Sequence, residues 1–339
     1  MNVHSSNAAF GRMHGEPLTG GIQLDCGNAS REAAHRIRNA LGVLLLAITV
    51  LWAAWRGGGN VAGVCEGKGE PPDGLSKQET VRKVTAANKD SPWENSLGMR
   101  FVPVPIKIAP AGSKRVFFSV WDTRVQDYEM FSKETAHEVV KPTFEQGPTH
   151  PVVMVSWEDA KAFCAWLTER EHQLGKIGQD ERYRLPTDHE WSCAVGIGDQ
   201  EDAKVPPGDK DGRIKNEYPW GKVWPPPKGA GNYRGGELEV SDPQIPKIQG
   251  YDDRFSHTSA VGSFFRNRYG LYDIGGNVWQ WCEDLYDSHW NARVVRGGSW
   301  NNYERESLLS SFRFNGKPGD RYANYGFRCV LLNQNQTSR

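Results

Sequence analysis

Between residues 204 and 255 the chain shows neither a helical nor an alternating period, and prolines and glycines interrupt it throughout. So long an irregular stretch inside a compact domain suggests a functional or metal-pinned surface. Thirteen tryptophans and 37 glycines among 339 residues point the same way. Buried indoles supply apolar area where helices and strands are scarce, and glycines supply the turns. A loop-rich domain is expected, not a regular helical bundle.

Outside that stretch three helix starts are marked. Thr123 stands three residues before Gln126 and Thr187 three before Glu190, the capping-box spacing; Ser156 before Asp159 is a near match. Behind Ser156, the residues Trp157, Ala160, Cys164 and Leu167 recur at helical spacing and are expected to face the core. The shorter helix from Thr123 turns Tyr128 and Phe131 inward. Short apolar runs at 293–295 and 327–332 read as strands. No repeat of fixed period is present.

The N-terminal part reads differently. Residues 1–30 are polar and rich in Gly, Ser and Asn, a composition that does not fold alone. Arg31, Arg36 and Arg38 then precede an uncharged run at 39–55, close to the lower limit of about 17 residues for a spanning helix. Basic residues before such a run predict a cytoplasmic N-terminus. The expected organisation is a disordered cytoplasmic segment 1–38, a membrane-spanning signal anchor 39–56, a linker 57–92, a folded domain 93–332 and a tail 333–339. The folded part would then lie in the periplasm or at the cell surface. Val61-Ala62-Gly63 is a weak cleavage signal, and a retained anchor is preferred. Lys+Arg and Asp+Glu both number 41. Without a basic excess there is no electrostatic case for a nucleic-acid partner. Six cysteines are present without any CxxC pair, which argues against a zinc ribbon.

Several phrases, read in order, carry a resemblance. They are NSLGMRFVPVP (95–105), HPVVMVSWEDAKAFCAWL (150–167), YRLPTDHEWSCA (183–194), YPWG (218–221), YGLYDIGGNVWQWCEDLY (269–286), RVVRGGSW (293–300) and YGFRCV (325–330). Together they resemble the formylglycine-generating enzyme family, also called the sulfatase-modifying-factor domain, over essentially all of 93–332. The fold this implies is an irregular α+β single domain related to C-type lectins, with little regular secondary structure and bound calcium. Catalytic members oxidise a sulfatase cysteine and hold Cu(I) with two cysteines just after the GGSW strand. Those places fall on Asn302 and Ser307 here, and no cysteine lies between Cys282 and Cys329. An amide and a hydroxyl are hard, neutral groups that cannot replace two soft thiolates. Copper is therefore not expected, and the resemblance favours a non-catalytic binding or scaffold protein over a formylglycine-generating oxidase. The iron-dependent sulfoxide synthases of the same fold need a histidine triad, and no H-x-x-x-H pair occurs.

The resemblance also assigns other sites. One calcium position maps to the side chains of Asp273 and Gln280 with the carbonyls of Gly276 and Val278. A second maps to the side chains of Asn232 and Asp253 with the carbonyls of Tyr233 and Phe255. Calcium takes six to eight oxygens, many from the backbone, which suits such loops. The family commonly has Asn and Glu where this chain has Asp273 and Gln280. Cys164 and Cys329 occupy places that form a disulfide in some exported relatives; Cys193 and Cys282 have no clear partner. The ligand surface would use the polar and aromatic segment 301–325, with Trp300, Asn301, Asn302, Tyr303, Arg313, Asn315, Tyr322 and Asn324 as contact residues. An extracytoplasmic protein, peptide or glycan would be the partner, with the membrane reached through the N-terminal helix. Hypervariable Asn-rich stretches of retroelement-diversified proteins also sit at this place on the fold.

Overall fold

In β2 (Arg100–Ile108) and β3 (Gly112–Ser119) alternate residues go to opposite faces of one sheet. Phe101 and Phe117 enter one core, while Val102, Val104, Ile106, Val116 and Phe118 enter another. Apolar residues on both faces make this sheet a central layer. It runs in the order β1-β2-β3-β9-β4, all antiparallel, with β1 at Trp93–Glu94, β4 at Glu181–Arg184 and β9 at Val330–Asn333. A smaller sheet has the order β7-β6-β5-β8, with β5 at Trp279–Leu285, β6 at Arg293–Arg296, β7 at Phe314–Gly316 and β8 at Tyr325–Gly326. Its β5/β8 pair is parallel and the others are antiparallel. This is a computed structural model, and it describes residues 84–108, 112–238, 244–287, 289 and 291–333. The expected anchor at 39–56 and the segment before it lie outside the described residues. Among those described, no helix is long and apolar enough to cross a membrane.

Among the described residues three helices carry most of the helical content: α1 (Val125–Thr135), α2 (Trp157–Gln173) and α3 (Asp188–Val195). Ser156 and Thr187 cap α2 and α3 as expected. Each hydroxyl accepts from the amide three residues on, and the Asp159 or Glu190 carboxylate accepts in return. The start of α1 is one residue later than its spacing suggests. Arg124 is the N-cap, and Asp127, not Gln126, accepts from its amide at 3.0 Å. Thr123 is buried instead, its amide donating to Phe327. Tyr128, Phe131, Ala160, Cys164 and Leu167 are buried as their spacing implies, whereas Trp157 is half-buried and donates its Nε1 to Cys282 O.

Among its described residues, the irregular stretch acquires as helix only single turns at Pro207–Lys210 and Gly236–Leu238. Side chains hold it: Tyr218, Tyr233, Ile248, Tyr251, Leu308 and Leu309 form a separate apolar cluster.

Asp159 anchors the C-terminal segment to α2. Its carboxylate accepts from Arg321 Nε and Nη2 at 2.7 and 2.8 Å, from the Ser156 amide, and contacts His137 Nε2. Burial would raise this carboxyl, but these bonds outweigh it and hold it at about 2, below its ordinary 3.8. A carboxyl depressed in the folded state stabilises fully above its unfolded value and loses that contribution as pH falls through the folded one. The variant Asp159→Asn is therefore expected to melt below the wild type at pH 7. The gap should shrink between about pH 4 and pH 2 in a calorimetric pH series. A gap independent of pH would show that the carboxylate charge contributes nothing.

Candidate functional site

At the end of β6 the chain turns on Gly297 and Gly298, both with φ in the left-handed region at 102° and 73°. A side chain is strained there. The turn delivers 299–303 to one end of the small sheet, where a cavity of about 760 Å³ opens. Asn301, Asn302, Tyr303, Ser307, Asn315, Tyr322 and Asn324 are among its lining. Trp279, Phe314 and Tyr325, from β5, β7 and β8, contribute rings. Six of the eight contact residues expected from the sequence thus border one cavity.

The other two do not. Arg313 is buried, 1% exposed, and donates to Asp188 at 3.0 Å and to Glu201 at 2.5 and 2.8 Å. A guanidinium in a buried ion cluster cannot meet a ligand, so the expectation for Arg313 is corrected. Trp300 lies beside the cavity, not on its lining. Its Nε1 donates to Ala323 O at 3.2 Å, and its ring packs on His257 and Phe144 at 4.8 and 5.7 Å. Sequence reasoning missed Arg234, Glu304 and Asp320, which bring charge to the rim. Arg234 lies over the Tyr303 ring, 5.4 Å from its centroid. It is about 70 residues from the segment, and no local pattern marks it.

The two positions where the resemblance places thiols are engaged in turn bonds. Asn302 Oδ1 accepts from the Ser299 amide at 3.0 Å and from Ser299 Oγ at 2.7 Å. Asn324 Nδ2 donates to Asn301 Oδ1 at 3.0 Å, tying the two segments together. Ser307 Oγ donates to Glu304 O at 2.8 Å. None of the described cysteines lines the cavity. Burial pushes the thiols of Cys164 and Cys282 well above their ordinary value, and that of Cys193 to about 11. Thiols kept protonated are poor metal ligands.

Cys164 and Cys329 do meet in the core, but at a sulfur–sulfur distance of 3.6 Å as free thiols. A disulfide needs about 2.05 Å. The structure thus brings the two expected partners together in the core, here as a contact between thiols.

The two calcium sets differ in how they fit an ion. In the second set, Asn232 is fully buried and its Oδ1 has no hydrogen-bond partner, while Nδ2 donates to His257 O. Asp253 accepts from the Tyr233 and Phe255 amides, and burial still raises its carboxyl to about 7. A buried carboxylate beside an unpartnered amide oxygen fits a cation. In the first set, Asp273 Oδ1 is also unpartnered, but Gln280 Oε1 already accepts from Trp191 Nε1 at 2.9 Å and from Arg328 Nε at 2.8 Å. An amide oxygen has two lone pairs. Gln280 therefore has none to give, and the expected role of Gln280 as a ligand is corrected.

A larger cavity, about 990 Å³, lies between α2 and the start of α3. It holds none of the expected ligand-face residues, and charged pairs such as Arg184–Glu190 and Lys210–Asp188 span its lining.

Comparison with known proteins adds relatives. A family model described as "Sulfatase-modifying factor enzyme 1-like domain" matches residues 82–332. A formylglycine-generating enzyme of Thermomonospora curvata is 31% identical over 205 residues, covering 54% of this chain and 56% of that protein. An inactive C-alpha-formylglycine-generating enzyme 2 of Bos taurus is 33% identical over 186 residues, covering 53% and 50%. The chain thus spans about half the length of these curated relatives. A solved structure of PvdO from Pseudomonas aeruginosa matches with a TM-score of 0.47 and 19% identity, over 71% of this chain and 97% of that one.

Proposed function

The chain belongs to the family of sulfatase-modifying factor enzyme 1-like domains, and from that premise we propose that it is a non-catalytic binding or scaffold protein, tethered to a membrane, that offers the 760 Å³ cavity to a ligand outside the cytoplasm. The observation that carries this reading is the chemistry of Asn302 and Ser307. Both spend their side-chain oxygens on local turn bonds, and among the described residues no thiol borders the cavity. A Cu(I) ion would find only hard oxygen and nitrogen donors there. Its exposed rings, Tyr322 and Phe314, stand among four asparagine amides. Ring faces beside planar amides meet either a peptide or a glycan, as in other recognition surfaces built from Tyr and Asn. One relative's designation as inactive is in keeping with this reading. Calcium held by Asn232, Asp253 and the carbonyls of Tyr233 and Phe255 would supply the charge that pins the irregular stretch.

The test is anaerobic Cu(I) titration of the purified chain, followed by incubation with oxygen and a Cys-containing sulfatase-motif peptide. No copper retained and no aldehyde formed is the expected result; one copper per chain with conversion to formylglycine would establish the oxidase instead. Topology has its own check. With Arg31, Arg36 and Arg38 before the apolar run, the reading puts the C-terminus outside the cytoplasm, and on it a C-terminal alkaline phosphatase fusion is expected to be active. Activity from a cytoplasmic reporter at the same place would refute the tether.

A further inference from the structure

We infer that the first calcium position of this chain takes no ion, because the guanidinium of Arg328, paired with Asp122 and locked to Gln280, does from within the protein what a bound cation would do there.

Arg328 is wholly buried, and its donors fan out over the loop that the ion was expected to hold. Nη2 donates to the carbonyls of Tyr272 and Asp273, each at 2.9 Å. Nη1 donates to Ser119 O at 3.1 Å, and Nε to Gln280 Oε1 at 2.8 Å. Asp122, also wholly buried, faces the guanidinium with Oδ1 3.1 Å from Nη2; burial pushes that carboxyl up to about 8, against the pull of Arg328. Gln280 completes the brace: Nε2 donates to Asp273 O at 2.7 Å, so this carbonyl accepts from two buried donors. One side chain thus joins the end of β3, the loop at 272–273 and strand β5.

For calcium to bind through Gln280, its oxygen would have to release both the Trp191 indole and the Arg328 guanidinium. Each would become an unsatisfied donor in the interior, and such donors are costly to leave unmade. A dication would also stand beside a buried guanidinium, where low polarity strengthens like-charge repulsion. What remains is Asp273 Oδ1 and loop carbonyls. Asp273 Oδ2 accepts from the Gly262 amide at 2.7 Å, and Gly276 O from the Val278 amide at 2.8 Å. Without the Gln280 oxygen, every ligand beyond Asp273 and the loop carbonyls would have to be water. A glutamate at 280 would bring a carboxylate in place of this neutral amide; the amide's NH₂ is what reaches the Asp273 carbonyl.

The experiment is calorimetric titration of the full chain with calcium chloride after chelator treatment, with thermal melting followed in parallel. At most one ion per chain is expected. Asp253→Asn should abolish it, and Asp273→Asn should leave both the stoichiometry and the chelator response unchanged. The asparagine at 273 still offers the Gly262 amide an acceptor, so that variant keeps its loop bond. Two ions per chain, or the loss of one in Asp273→Asn, would overturn the inference. No binding at all would sustain it and remove the separate reading of calcium at Asn232 and Asp253. Should Asp273→Asn fail to fold, the wild-type stoichiometry still decides, with Asn232→Ala and Asp253→Asn identifying whether a single ion belongs to the second set.

Discussion

The double variant Asn302→Cys with Ser307→Cys is expected to retain one Cu(I) per chain where the wild type retains none, and each single variant to bind far more weakly. Both positions border the same cavity. Two thiolates are the soft pair that Cu(I) prefers, and one thiolate leaves the ion half held. The gain should come with a loss of stability, because Asn302 Oδ1 is the acceptor for both Ser299 groups. Removing an acceptor from a partly buried donor costs about 1–3 kcal/mol. Turnover is not expected to follow, since supporting geometry left to chance usually leaves a site inactive even when its ligands are present. Copper retention is read by elemental analysis after gel filtration and the stability loss by denaturant melts. A double variant that binds no copper would show that the two positions do not converge as ligands. A wild type that oxidises the peptide would end the non-catalytic reading.

The largest effect on stability is expected at Asp188. This carboxylate, 2% exposed at the start of α3, lies among three cations. Arg296 Nη1 donates to it, Arg313 reaches both its oxygens at 3.0 Å, and Lys210 Nζ is 2.8 Å away. Glu201 is the second anion, pairing with Arg313. Burial would raise the Asp188 carboxyl, yet Arg296 and Arg313 hold it well below the usual carboxylate range. Asp188→Asn would leave three cations in the interior without their central anion. Breaking a buried pair by removing one partner costs about 3–5 kcal/mol, a large share of the roughly 5–15 kcal/mol that holds a domain together. The Asp90→Asn variant, whose pair with Lys89 is exposed, is the comparison and should melt as the wild type does. Equal melting of both variants would show that the buried cluster contributes no net stability.

How much of this was legible in the sequence can be judged residue by residue. Capping pairs and apolar spacing are local, so Ser156, Thr187, Tyr128 and Phe131 could be placed from neighbours a few residues away. Family membership was readable because the phrases that carry it are contiguous in the chain. The absence of two thiols at 302 and 307 was equally legible, since it is a matter of residue type alone. Arg313 and Gln280 were misread for the opposite reason. In the sequence, Arg313 is one more polar residue in a polar segment, and Gln280 one more oxygen in a loop. Whether a guanidinium meets solvent depends on Asp188, 125 residues earlier. Whether an amide oxygen is open to an ion depends on Trp191 and Arg328, 89 and 48 residues away. Composition and local pattern determine which groups a chain owns and where its helices begin. Only the tertiary structure decides which of those groups are already spent on one another, because burial removes the water that would otherwise leave every polar atom a choice of partner.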